Sequence, residues 1–181
     1  MKTLKLGLSL LALLVVVTLL GCSTSTKSPD VANNVRKSLD QIGLKDVTVS
    51  QDRDKGVVTL GGHVAAEADK VQAESLAKSI AAGQVVANQI AVIPPGVESE
   101  AKTVNSDLDK GIENNLHAAL VQNRLLKGVK YDVKNGVVTL TGEVNSQSKR
   151  AHVEQVASGV PNVQQVVNEL QVRNQKASST P

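Results

Sequence analysis

This 181-residue sequence predicts an α+β fold made of two tandem copies of one small unit. Two observations carry the prediction. The stretch Lys55-Gly56-Val57-Val58-Thr59-Leu60-Gly61-Gly62-His63-Val64 returns as Asn135-Gly136-Val137-Val138-Thr139-Leu140-Thr141-Gly142-Glu143-Val144. Around it, apolar spacing switches between helical and strand periods in the same order each time, which reads α-β-β-α-β twice. From Gly56 to Val92 the first copy runs onto Gly136 to Val172 without a gap. Tyr131 is the one aromatic residue, so Val, Leu, Ile and Ala must fill both cores. A unit of about 65 residues hides only about 60% of its unfolded surface, so each copy is modestly stable alone.

The chain opens with a leader over residues 1–21. Met1-Lys2-Thr3-Leu4-Lys5 is basic, and Leu6 to Leu20 is apolar, short for a membrane span and right for a signal-peptide core. The run ends at Leu19-Leu20-Gly21-Cys22, which resembles a bacterial lipobox. That resemblance implies diacylglycerol on the Cys22 sulfur, cleavage before Cys22 and acylation of the new amino group. At ~0.8 kcal/mol per buried methylene, three acyl chains anchor a protein permanently. The alternative is an ordinary secretory signal followed by an incidental cysteine. Ser23 stands where an inner-membrane retention signal usually carries Asp, which by the same resemblance points to the inner leaflet of the outer membrane. Cys22 is the sole cysteine, so no intramolecular disulfide forms. Residues 22–29 read as a flexible tether.

The first unit covers residues 30–93. Ser28-Pro29-Asp30 has the composition of a helix start, followed by a stripe of Val31, Val35, Leu39 and Ile42, with Gly43 as the stop. Val47-Thr48-Val49 is a short strand, and a charged turn ending at Gly56 leads into the repeated strand. Alternation puts Val58, Leu60, Gly62 and Val64 on one buried face. A glycine there lets a helix approach or the strand bend. A second helix from about Glu67 carries Ala73, Leu76, Ala77 and Ile80, and Val86, Asn88, Ile90 and Val92 alternate along the last strand. Residues 94–105, opened by Pro94-Pro95-Gly96, read as a polar linker.

The second unit covers residues 106–173, with a tail over 174–181 read as disordered. Its first helix carries Leu108, Ile112, Leu116 and Leu120. The strand Val129-Lys130-Tyr131 precedes Lys134-Asn135-Gly136, a hairpin signal. Val138, Leu140, Gly142 and Val144, then Val153, Val156, Ala157 and Val160, then Val166, Asn168, Leu170 and Val172 repeat the first unit. Gly56, Gly62, Gly136 and Gly142 are the glycines with a structural part to play.

The strand G-V-V-x-L-x-G-x-V and the ending V-x-N-x-[IL]-x-V, each present twice, resemble the BON domain of bacterial envelope proteins. The resemblance implies two helices packed on a three-stranded mixed sheet in each unit. It also implies a non-enzymatic protein tied to phospholipid binding, envelope integrity and osmotic stress.

No catalytic constellation opposes that reading. His63, His117 and His152 fall at unrelated positions, so no metal site or cofactor is expected. Asn88 and Asn168 recur on the apolar face, as structural amides do. Twenty basic residues face seventeen acidic ones, and two of the lysines lie in the leader, which gives no case for nucleic acid. One segment departs from the repeat. Val121, Arg124, Leu125, Lys127 and Lys130 lie in a segment with more apolar and more basic character than its counterpart Leu39 to Val47, and could rest on anionic headgroups. The alternative is that Leu125 or Leu126 closes the core, as Leu44 does, with the lysines solvated. The expected function is a lipid-anchored periplasmic protein whose two units bind phospholipid headgroups or an envelope partner and support envelope integrity or osmotic-stress tolerance, the second unit being the expected binder. The alternative is a protein-interaction or stress-protective module that never touches lipid.

Overall fold

The computed structural model describes residues 27–173; the leader, Cys22, most of the tether and the tail lie outside them. The first repeat runs α1 (Ala32–Gln41), β1 (Val47–Asp52), β2 (Val57–Val64), α2 (Glu67–Ile80), β3 (Val85–Asn88) and β4 (Ala91–Val92). The second runs α3 (Glu98–Gln122), β5 (Val129–Lys134), β6 (Val137–Val144), α4 (Gln147–Ser158), β7 (Gln165–Asn168) and β8 (Gln171–Val172). In each, the first strand is antiparallel to the central one, while the last lies parallel to it in two pieces. The mixed α+β architecture is therefore as expected, with the third strand broken in the middle. Asn88 makes the break: its Oδ1 accepts the Ile90 N–H at 3.3 Å, while Gln89 N–H reaches Leu60 O at 2.8 Å.

Helix α1 buries Val35 and Leu39, and Val31 just before it is buried too, but Ile42 stays 41% exposed. The apolar group expected from Ile42 comes instead from Leu44. Gly43, at φ +88°, turns the chain so that Leu44 N–H bonds Leu39 O at 3.0 Å and its side chain packs against the core. Ser28 does not cap this helix. Gln51, on β1, does so by accepting the Val31 and Ala32 N–H groups at 3.1 and 3.3 Å.

The stretch 94–105, read as a linker, is helical from Glu98 on, where α3 begins. Glu98 and Glu100 lie in its first turn, where a carboxylate favours the positive end of the helix dipole. The core stripe is Ile112, Leu116 and Leu120; Leu108 remains 48% exposed. Arg124 occupies the left-handed position that Gly43 holds in the first repeat, at φ +55°. A side chain there is strained by roughly 1–2 kcal/mol. Arg124→Gly is therefore expected to raise stability by about 0.5–1 kcal/mol after the added freedom of the unfolded chain is subtracted, read as a shift in the urea midpoint.

Gly62 and Gly142 differ from expectation. Gly62 is exposed rather than on the buried face, and the two residues have φ of +82° and +110°. No helix approaches them. A Cβ on Gly62 would overlap the Asp46 carbonyl oxygen, where the chain enters β1, and one on Gly142 would overlap the Gly128 carbonyl oxygen.

The two repeats meet through their sheets. Val57, Ala87, Val137 and Val167 form a small buried cluster on the faces turned away from the helices. Val57 and Val137 are counterparts in the repeat, as are Ala87 and Val167, so the contact is pseudo-two-fold. The edges of β3 and β7 face one another. Gln165 ties them, its Nε2 donating to Val86 O at 2.7 Å and its Oε1 accepting from Asn88 N–H at 3.0 Å. At one rim Lys55 pairs with Glu169 at 2.6 Å, and that hydrogen-bonded carboxylate holds the lysine above its ordinary range. At the counterpart rim Asn135 Nδ2 donates to Gln89 O at 2.8 Å.

Candidate functional site

The repeated asparagines are scaffold. Asn88 Nδ2 donates to Lys70 O and Glu74 Oε2 at 3.3 and 2.9 Å. Asn168 does the same to Arg150 O and Glu154 Oε2 at 3.3 and 2.8 Å. Each Oδ1 accepts the N–H two residues on. Burial pushes the Glu74 carboxyl up, but hydrogen bonds from Asn88 and Lys78 outweigh it and leave the group below the usual carboxylate range. An amide that serves both copies alike holds the third strand to its helix.

The histidines do not converge. His63 lies exposed at the end of β2, and His152 lines a groove between α3 and α4. His117 Nδ1 sits 2.9 Å from the Tyr131 hydroxyl, and burial together with the Glu113 charge pushes that phenol up. Among the described residues no group of His, Cys, Asp and Glu could hold a metal. A cleft of about 410 Å³ opens at the junction of the repeats, lined in part by Lys70, Leu108, Asp109, Asn135 and Gln164. Several of its polar groups are already engaged. Lys70 Nζ donates to Gln164 Oε1 at 3.0 Å, and Asp109 accepts the Asn135 and Gly136 N–H groups at 2.8 and 2.9 Å.

The basic segment of the second repeat is only partly brought together. Val121 is 51% exposed, with Arg124 and Lys127 exposed beyond it where α3 ends. Leu125 is 6% exposed and packs in the second core, so it is not part of any surface patch. Its position after the left-handed Arg124 swings it inward, as Leu44 is swung after Gly43. Lys130 also leaves the group. Val129 and Tyr131 on either side pack against the core, so strand alternation sends Lys130 to the opposite face of the sheet. Lys149 takes its place, with Nζ donating to Lys127 O at 2.8 Å. Its counterpart in the first repeat is Asp69, a charge reversal that aligning the copies exposes. Among the described residues Arg124, Lys127 and Lys149 enter no ion pair. No described helix is long and apolar enough to cross a membrane.

Comparison with known proteins bears on this geometry. The Osmotically-inducible protein Y of Escherichia coli (strain K12) is 27% identical over 137 residues, covering 75% of this chain and 67% of that protein. The C-terminal domain of CdsD, a structural protein of the type III secretion system of Chlamydia trachomatis, matches at 15% identity and a TM-score of 0.35, over 82% of this chain and all of that one. A second CdsD structure matches over 80% of this chain and 92% of its own, with the same identity and TM-score. Likeness that loose bears on neither fold nor function. A family model for the BON domain matches residues 29–94 and again 108–174. With both repeats matched over most of its length, the chain belongs to the BON-domain family as a tandem pair.

Proposed function

We propose that this is a non-catalytic periplasmic protein, lipid-anchored through Cys22 at the inner leaflet of the outer membrane, whose second BON domain rests on anionic phospholipid. The observation that carries the reading is the surface where α3 ends: exposed Val121 beside Arg124, Lys127 and Lys149, three cations without a carboxylate partner among the described residues. Each cation near an anionic surface adds about 1 kcal/mol, screened by salt. Without aromatic anchors the domain binds weakly, and an acyl tether makes weak binding sufficient by raising effective concentration. The osmotic induction named for the Escherichia coli relative supports a part in envelope integrity under osmotic stress.

The test is flotation of the chain from residue 22, carrying Cys22→Ser, with zwitterionic or anionic liposomes at two salt concentrations. Salt-sensitive binding to anionic liposomes is expected, and Arg124→Glu with Lys127→Glu is expected to weaken it about tenfold or more. Equal flotation of the double variant would remove this surface from the account. No flotation on either lipid would leave membrane residence to the anchor and favour an envelope protein as the partner.

A further inference from the structure

The two sheets have four outer edges, and three are at least partly covered by the chain's own groups. Those of β3 and β7 face one another across Gln165. On β1 the Val49 carbonyl accepts Arg36 Nη2 at 2.9 Å and the Gln51 side chain is bound up with the start of α1, which leaves the Val49 N–H and the Gln51 backbone groups without a partner among the described residues. β5 differs. Glu143 N–H bonds Gly128 O at 2.9 Å, which fixes the phase of the ladder. Gly128, Lys130, Asp132 and Lys134 turn their backbone groups to β6, and Val129, Tyr131 and Val133 turn theirs outward. Val129 N–H is taken by Leu126 O at 3.0 Å. The Val129 carbonyl and both backbone groups of Tyr131 and Val133 have no hydrogen-bond partner among the described residues. His117 stands three residues before Leu120, as Arg36 stands before Leu39, but it meets the Tyr131 hydroxyl and leaves the carbonyl free.

Charged side chains commonly blunt such an edge. Here the charges select a register. With Tyr131 opposite Tyr131 of a second, antiparallel copy, each Lys130 faces Asp132 of the other copy. A register centred on Asp132 sets that carboxylate against itself and Lys130 against Lys134. One centred on Lys130 sets two lysines together, and one centred on Val133 pairs Asp132 with Lys134 but runs Tyr131 and Lys130 onto Asn135 and Gly136, beyond the end of β5. Opposite charges directly across a pair of strands stabilise it, and like charges do the reverse.

We propose that two copies of this chain associate through β5, antiparallel and centred on Tyr131, to form a continuous sheet across a closed two-fold interface. The contact is isologous, so each copy supplies the same surface and both β5 edges are used up in the pair. It uses the strand edge and the outer sheet face, and does not depend on headgroup binding at Arg124 and Lys127.

Sedimentation equilibrium of the chain from residue 22, carrying Cys22→Ser, tests this from micromolar to millimolar concentration at low salt. A monomer–dimer equilibrium is expected. Lys130→Asp alone or Asp132→Lys alone disturbs two symmetric pairs and is expected to weaken the dimer about tenfold or more. Lys130→Asp combined with Asp132→Lys restores the pairing and the association. Both positions are exposed, and unchanged circular dichroism confirms that each variant folds. A monomer throughout, a dimer indifferent to the single reversals, or a double variant as weak as the single ones would overturn the proposal.

Discussion

Gly62→Ala is expected to destabilise the first domain by about 3 kcal/mol or more, much of what a domain of this size has in reserve. Two effects combine. An L-residue held at φ +82° is strained by roughly 1–2 kcal/mol. The new methyl also overlaps the Asp46 carbonyl oxygen, a backbone atom that cannot swing aside as a flexible side chain would. Relief means shifting the chain into β1, and with it the pairing of Val47 with Gly62 and the seat of Val47, which is only 2% exposed. Gly43→Ala separates the two effects, because Gly43 has φ +88° and nothing within 4 Å of the new Cβ. That variant carries the backbone strain alone. Urea unfolding followed by circular dichroism should show Gly62→Ala costing clearly more than Gly43→Ala. Equal losses would mean that the close approach of β1 contributes nothing. Gly142→Ala is expected to do to the second domain what Gly62→Ala does to the first, through the Gly128 carbonyl.

What the sequence discloses about this molecule divides along the range of the interactions involved. The order of helices and strands is written in local period, and Val35, Leu39, Val58, Leu60, Ile112, Leu116, Val138 and Leu140 lie buried as their spacing indicates. Long-range contacts are not so written. Gln51 caps a helix twenty residues upstream, a service no neighbouring residue advertises. Ile42 and Leu108 extend an apolar stripe past the end of the core, and periodicity cannot tell where the opposing surface stops. Glu98 begins a helix in polar sequence because exposed turns need no apolar face. Leu125 looked available to a surface until the left-handed turn at Arg124 fixed its direction. The junction of the repeats did leave a trace. Val57 and Val137 stand on the strand face that alternation assigns to solvent, apolar in both copies, and so do Ala87 and Val167. A residue apolar on the wrong face twice over marks a contact outside its own unit.

That junction makes Val137→Asp the second informative substitution. Val137 is 1% exposed, yet its side chain belongs to the cluster between the sheets and to neither domain core. An unpaired carboxylate buried there costs several kcal/mol. The protein has an escape that a core site lacks: the sheets part and the carboxylate is hydrated. The loss is then capped by the free energy of the junction itself, about 2–4 kcal/mol for a cluster of this size with its flanking hydrogen bonds. The intact chain is expected to unfold in one calorimetric transition, because the domains stabilise each other across the junction. Val137→Asp should split this into two, with both secondary structures retained below the first. Val138→Asp, one residue on and fully buried in the second core, should instead abolish the second domain's transition. If Val137→Asp leaves a single transition at an unchanged temperature, the sheets do not meet in solution. The edges of β3 and β7 would then be open, and β5 would no longer be distinguished from them.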